Sequence, residues 1–305
     1  MKHVVWTQWD DLVMPENFTL RSPANTDLAT ASADDLSDIT FYVPSYMGGR
    51  AALEFSRKMS NLKVLQMPNA GYEDALEFTR PGMTLCNGRG IHDASTAELA
   101  VGLAIASLRG FPEFVRNQDQ GRWVHQRHQS INDKKVAIIG YGSIGKTVAR
   151  NLSGFDVTVV PFSRSGSDGA LRISDLDQHL PTFDVVILIL PLNDESRKMF
   201  NKERLALLKD GALLVNVARG GIVDTDALVA ELRSGRITAA LDVTDPEPLP
   251  EGHPLWSAPG VLIAPHVGGN TSAFEPRARR LVESQLSRLA QGKGLDNVII
   301  AGEVS

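Results

Sequence analysis

Short apolar runs punctuate the chain from about residue 135 onward, and stretches with helical spacing separate them. Val136–Ile139, Val185–Leu190, Leu213–Val217, Ala239–Asp242 and Val261–Ala264 are apolar on both faces, as strands of a covered parallel sheet are. Asp156–Phe162 is β-rich as well. Ser143–Leu152, Asn201–Leu208 and Asp224–Gly235 read as the helices between them. This alternation predicts an α/β doubly wound fold. The first third is less regular. Val4–Trp6, Ile39–Val43 and Lys63–Gln66 read as short strands, with helical stretches such as Arg50–Met59 between them, so a small parallel sheet of its own is expected there. Ser95–Leu108 is apolar on nearly every face and is expected to be buried between larger bodies. Thr271–Gln291 reads as one amphipathic helix bearing Arg277, Arg279, Arg280 and Arg288. A solvated or domain-bridging face explains those arginines better than a binding patch does. Gly292–Gly294 and the polar tail read as loop.

One strand ends in a glycine pattern that carries chemistry. Val136–Ile139 runs into Gly140-Tyr-Gly-Ser-Ile-Gly145 and then into the Ser143–Leu152 helix. A G-x-G-x-x-G run between a strand and a helix is the dinucleotide-binding fingerprint in its proper context. Gly140 allows the tight turn, Gly142 lets backbone approach a pyrophosphate, and Gly145 lets the helix sit close on the sheet. The helix N-terminus offers free N–H groups and partial positive charge to phosphates. The glycines alone would be a weak signal. The β-rich segment ending about twenty residues later, where the adenosine ribose is met in such folds, strengthens it.

Composition narrows the field. With 305 residues, 43% hydrophobic and 22% charged, the chain has the length for two domains and the make-up of a soluble globular protein. A net charge of −5 gives no reason to expect a nucleic-acid or membrane partner. The single cysteine, Cys86, permits no intrachain disulfide and reads as a core residue rather than a nucleophile. The N-terminus has no apolar segment of signal-peptide type and no run reaches membrane-spanning length, so the cytoplasm is the expected location.

Three polar sites follow late strands, where ligands gather in open α/β sheets. Arg219 follows Leu213–Ala218. Asp242–Glu247 forms a loop whose prolines fix where Glu247 points. His266 lies in Ala-Pro-His-Val-Gly-Gly269. Alone, each has a plainer reading: a surface salt bridge, a solvated acidic loop, an unremarkable histidine. Together they form a working set. A carboxylate holds a histidine in one tautomer and favours its charged form, giving an acid for a developing alkoxide near neutral pH. An arginine beside it anchors an acid group and polarises the neighbouring carbonyl. That is the equipment for hydride transfer between a nicotinamide and a 2-oxo acid. Other chemistries fit poorly. There is no Cys/His spacing for a metal, no G-x-S-x-G elbow, and no P-loop lysine at the required spacing.

These motifs, in this order, resemble the D-specific 2-hydroxyacid dehydrogenase family. The matching runs are Ala94–Ala100, Gly140–Gly145, Leu190–Asn193, Val215–Gly221, Asp242–Pro248, His253–Trp256 and Pro265–Gly269. The resemblance implies two Rossmann-like doubly wound domains. The cofactor domain, 98–270, would be inserted into a discontinuous substrate domain, 1–97 and 271–305. It implies Arg219, Glu247 and His266 as the catalytic set. It also implies that Ala70 and Gly71, in Pro68-Asn-Ala-Gly71, hold the substrate carboxylate through backbone N–H groups beside Arg219 and His266. The cofactor would meet Gly140, Gly142, Ser143, Ile144, Gly145, Ser163, Arg164, Leu190, Ala218 and Gly268. Thr96 and Asp242 would lie near the nicotinamide and Pro191 near its ribose. Homodimers formed through the cofactor domain, with the Ser95–Leu108 helix involved, are the family habit.

One departure bears on the cofactor. Many NAD-using members carry an aspartate at the end of the second strand, where this chain reads Phe162-Ser-Arg-Ser165. A serine does not repel a 2′-phosphate and an arginine attracts one, so NADP is favoured over NAD. Alternatively, Arg164 stacks on adenine or faces water. The chain also lacks the regulatory extension of some phosphoglycerate dehydrogenases, which argues against feedback control by such a domain. The expected activity is reduction of a small 2-oxo acid such as glyoxylate or hydroxypyruvate. Formate oxidation is disfavoured, because the formate enzymes carry glutamine where Glu247 stands. Phosphite oxidation and a nucleotide-sensing corepressor role remain as alternatives that keep the same site.

Overall fold

The computed structural model describes residues 3–302. The chain divides into two compact units, Met1–His92 with Ser272–Ser305, and Asp93–Thr271.

The first unit is built on strands β1 (His3–Trp6), β2 (Phe18–Arg21), β3 (Phe41–Tyr42), β4 (Val64–Gln66) and β5 (Thr84–Cys86), in the order β5-β4-β3-β1-β2 and all parallel. Val298–Ile300 adds an antiparallel edge strand beside β5. Successive strand residues point to opposite faces, and both faces are covered. Val5, Phe41 and Val64 pack with Phe274, Ala278, Val282 and Leu286 of the Phe274–Ala290 helix. Trp6, Tyr42 and Leu65 pack on the other side with Leu36, Leu53 and Phe78. Cys86 is fully buried, and that burial pushes its thiol up to about 12, so it is inert as a nucleophile.

The second unit holds β6 (Lys135–Ile139), β7 (Thr158–Ser163), β8 (Leu171–Arg172), β9 (Val185–Leu188), β10 (Leu213–Asn216), β11 (Thr238–Leu241) and β12 (Val261–Ile263). They lie in the order β12-β11-β10-β9-β6-β7-β8, and every neighbouring pair is parallel. Strand order reverses at β6: the chain runs outward through β7 and β8, then returns to place β9 on the other side. The crevice at the carboxyl ends of β6 and β9 is therefore the topological switch point. One face packs Val136, Ile138, Ile187 and Val215 against helices Asp93–Leu108 and Ser143–Leu152. The opposite face packs Ala137, Ile139, Leu188 and Leu214 with Phe162, Leu205 and Leu228.

Several elements differ from the sequence reading. The Asp93–Leu108 helix is buried over most of its circumference, through residues such as Thr96, Ala97, Ala100, Val101 and Leu103, and only Glu98 and Gly102 are exposed. It lies wholly within the second unit. β2, β5 and β8 were not expected, nor was helix Phe111–Asp119, which buries none of its residues. The tail is not all loop, because Val298–Ile300 pairs with β5; its last residues, 303–305, lie outside the described residues. Where the chain enters and leaves the second unit, Ser95 Oγ and Thr271 Oγ1 are hydrogen-bonded at 2.8 Å. Among the described residues no helix is long and apolar enough to cross a membrane, and no cluster of His, Cys, Asp and Glu is placed to hold a metal.

Candidate active site

The switch point is shaped by missing side chains. Gly140 has φ of +106°, and a Cβ there would sit 2.0 Å from the carbonyl oxygen of Ile189, just past β9. At Gly145 a Cβ would lie 2.2 Å from the Gly140 oxygen. Both glycines are demanded by the fold itself. Gly142 differs: a Cβ there would meet no protein atom within 4 Å, so it borders open space. The helix that follows, Ser143–Leu152, has no side-chain cap at Gly142. Its first turn, Ser143, Ile144 and Gly145, therefore faces that space with uncapped N–H groups. A cradle that only a side chain at Gly142 would fill, lined by a helix N-terminus, fits a dinucleotide pyrophosphate.

Around it lie the other expected cofactor residues. Leu190 is buried after β9, and Pro191 follows it on the surface, its carbonyl accepting a hydrogen bond from Ser196 Oγ at 2.7 Å. Ser163 ends β7, and its hydroxyl accepts the Gly166 N–H at 3.0 Å. The Arg164 side chain is 78% exposed, with Nε 3.9 Å from a carboxylate oxygen of Glu195. Nothing buried holds it.

The three catalytic candidates come from consecutive loops of the same unit. Beyond β10 the chain turns at once and presents Arg219 in extended conformation, with Nη1 donating to the Ala218 carbonyl at 2.8 Å. Gly220 then presses on the next loop: a Cβ there would lie 1.9 Å from the Thr244 oxygen. This close approach keeps Arg219 beside the Asp242–Glu247 loop. Asp242 follows β11 and is only 3% exposed. Its two carboxylate oxygens accept the N–H groups of Val267 and Gly268, at 2.7 and 3.0 Å, and its carbonyl accepts the His266 N–H at 2.8 Å. The His266 loop is thereby tied down while His266 itself adopts φ of +53°, a left-handed conformation uncommon away from glycine. Its Nδ1 is hydrogen-bonded to Oε1 of Glu247. Both side chains are partly exposed, and Nε2 is the nitrogen left for a ligand.

The electrostatics follow from this geometry. The Glu247 hydrogen bond and charge, aided by Asp242, raise the His266 pKa above its ordinary value against the opposing pull of burial and of Arg219. The same hydrogen bond holds Glu247 below the usual carboxylate range, with the charges of His266 and Arg219 adding to it. Burial pushes Asp242 up, although its two backbone donors oppose this. The arrangement is a histidine whose protonated form is favoured by its carboxylate partner, with a fixed cation beside it.

The second unit thus brings together Arg219, Ala218, Glu247, His266, Asp242, Gly268 and Thr96. A Cβ at Gly268 would lie 2.9 Å from Asp242 Oδ2 and 3.5 Å from Thr96 Oγ1. Ala70 and Gly71 belong to the first unit, where Asn87 Nδ2 donates to the Ala70 carbonyl at 2.8 Å. The sequence reading gave no role to Asn216 or Thr244. Asn216 had a signal, since it is a lone polar residue closing an otherwise apolar strand. Thr244 matters only through its carbonyl, and nothing in its residue type announces that.

Comparison with known proteins agrees with this construction. Residues 101–268 match the family described as D-isomer specific 2-hydroxyacid dehydrogenase, NAD binding domain. The chain belongs to this family. Among its relatives is a glyoxylate reductase of Thermofilum pendens, 33% identical over 248 residues, covering 76% of this chain and 73% of the relative. A D-3-phosphoglycerate dehydrogenase of Methanocaldococcus jannaschii is 30% identical over 83% of this chain, which spans 50% of that longer relative. Among solved structures, an NADPH-dependent glyoxylate/hydroxypyruvate reductase of Sinorhizobium meliloti superposes with a TM-score of 0.80 at 25% identity, covering 98% of each chain. The family chemistry is NAD(P)-dependent oxidoreduction of 2-hydroxy acids.

Proposed function

We propose that this member reduces a small 2-oxo acid of the glyoxylate or hydroxypyruvate type, with NADPH as the preferred reductant. The observation that carries the reading is the His266–Glu247 hydrogen bond with Arg219 on the neighbouring loop. A bound nicotinamide supplies the hydride that forms the new C–H bond at the substrate carbonyl carbon. His266 Nε2 gives its proton to the carbonyl oxygen as negative charge develops there, and Glu247 stabilises the charged imidazole beforehand. Arg219 pairs with the substrate carboxylate and polarises the adjacent carbonyl. Ala70 and Gly71, in the first unit, offer N–H groups of the kind that suit a carboxylate; among the described residues neither N–H makes a backbone hydrogen bond.

The choice of substrate class is supported by the names of the Thermofilum and Sinorhizobium relatives, and NADPH by the latter and by Arg164 at the end of β7. The reading includes a homodimer formed through the second unit. Supporting it, helix Phe111–Asp119 exposes Phe111, Phe114 and Val115, and Trp123 just beyond is 97% exposed. The working location in this reading is the cytoplasm.

A panel of 2-oxo acids, followed by nicotinamide absorbance with NADPH and NADH side by side, tests the activity. Turnover of glyoxylate or hydroxypyruvate with NADPH supports the reading, and no turnover of any 2-oxo acid with either cofactor overturns it. Sedimentation of the purified protein reads the oligomeric state.

A further inference from the structure

Asn216 is the last residue of β10 and is 1% exposed. Its neighbours along the strand, Leu213, Leu214 and Val215, are fully buried hydrophobics. A primary amide at the end of such a run must find partners or forfeit its hydration. It finds them in the turn that follows. Oδ1 accepts the Ala218 N–H at 3.1 Å, and Nδ2 donates to the Arg219 carbonyl at 3.0 Å. One side chain thus spans the turn, supplying the acceptor for the Ala218 N–H and the shorter of two bonds to the Arg219 carbonyl, which the Ile222 N–H also reaches at 3.3 Å. Its own carbonyl accepts the Asp242 N–H at 2.9 Å, and Asp242 in turn carries the His266 loop.

We propose that Asn216 is a positioning residue for Arg219: its amide locks the 216–219 turn and so aims the guanidinium relative to His266. The assignment rests on the proposed role of Arg219. No other residue type of similar size does this work. Aspartate keeps the acceptor but loses the donor and adds a buried charge. Leucine fits the apolar strand but leaves the Ala218 N–H unpaired and leaves the Arg219 carbonyl only the longer bond from the Ile222 N–H, at 3.3 Å. Loosening the turn leaves Arg219 present but free to sample poses that miss the substrate, and small displacements of an orienting group are costly in rate.

The test is a double-mutant cycle of Asn216→Ala with Arg219→Ala, read by the KM and kcat for the 2-oxo acid, by cofactor affinity and by thermal stability. In the wild-type background Asn216→Ala is expected to lower kcat/KM about tenfold to a hundredfold, with cofactor affinity unchanged. In the Arg219→Ala background the same change is expected to cost little more, because the group it positions is already gone. Asn216→Ser, which keeps an acceptor near Ala218, is expected to fall between wild type and Asn216→Ala and serves in the cycle if the alanine variant does not fold. Additive losses, or a normal kcat/KM in Asn216→Ala, would overturn the inference while leaving Arg219 in place. Failure of both variants to fold would also overturn it, by making the amide a requirement of the strand alone. Undiminished activity of Arg219→Ala would instead sink the underlying reading.

Discussion

His266 Nδ1 and Glu247 Oε1 share a hydrogen bond, and each group shifts the other's titration, the histidine upward and the carboxylate downward. Each shift favours the ion-paired form of the pair. In the proposed reduction the proton comes from His266, so activity is expected to persist up to the raised histidine pKa, above 6.5, and to fall as pH climbs through it. Glu247→Gln removes the charge that favours imidazolium, and the descending limb should move to lower pH. His266→Asn should lose about two to four orders of magnitude in kcat and flatten that limb. pH–rate profiles of the three proteins check this; an unmoved limb in Glu247→Gln would rule out the pair as the titrating unit.

Arg219 stands beside two groups whose titration it affects, which places its charge within reach of the chemistry. Arg219→Ala is expected to lower kcat/KM by about a hundredfold or more, the scale of losing a preorganised cation or donor at a developing charge. Arg219→Lys should recover only part, because an ammonium lacks the planar fork. Steady-state kinetics with a 2-oxo acid give the answer directly.

Cofactor choice should follow the end of β7. The exposed Arg164 makes no buried contact and has only a distant Glu195 to compete for it, so a 2′-phosphate can recruit it. A charge-assisted contact there contributes about 1.5–3 kcal/mol before the cost of ordering the loop. The net expectation is a preference for NADPH of roughly tenfold to a hundredfold in kcat/KM. Ser163→Asp with Arg164→Ala should reverse it. If the unmodified protein uses NADH as well as NADPH, Arg164 does not read the phosphate.

The fingerprint glycines should separate by mechanism. Gly140→Ala meets the Ile189 carbonyl and a left-handed φ, so it should destabilise the protein, with the conformational part alone about 1–3 kcal/mol. Gly142→Ala meets nothing in the protein within 4 Å, so its thermal midpoint should match wild type while cofactor affinity falls. Melting curves and a cofactor titration on both variants distinguish the two. Equal cofactor affinity in Gly142→Ala would show that the open space is not the pyrophosphate cradle.

Legibility in the sequence tracked burial, with β5 as the exception: Thr84–Cys86 is buried throughout, but a threonine and a cysteine around one leucine make no apolar run. The central strands of the second unit, such as Val185–Leu188, are buried throughout and declared themselves as apolar runs. β2 is only half-buried along its length, β8 is an exposed pair of residues, and Val298–Ile300, though apolar, is a three-residue edge strand after a polar stretch, so none forms a run that announces a strand. Helix Phe111–Asp119 was missed for a related reason: it buries no residue, and its periodicity points to no core of its own unit. The catalytic candidates were visible because each follows a strong strand. Their supports were not. The Gly220 approach to Thr244 and the clamp of Asp242 on Val267 and Gly268 are facts of backbone placement, written in no side-chain pattern.

The Ser95–Thr271 hydrogen bond joins the two ends of the second unit. A 93–271 segment whose two ends adjoin through Ser95 and Thr271 behaves, for the rest of the chain, as an insertion at a single point. Splicing it out would leave the host polypeptide to close only a short gap, and splicing it into a foreign scaffold would ask for no long linker. Because Arg219, Glu247, His266 and the glycine fingerprint all travel inside that segment, the proposed hydride and proton groups form a transplantable cassette, while the carboxylate contacts proposed at Ala70 and Gly71 stay with the host.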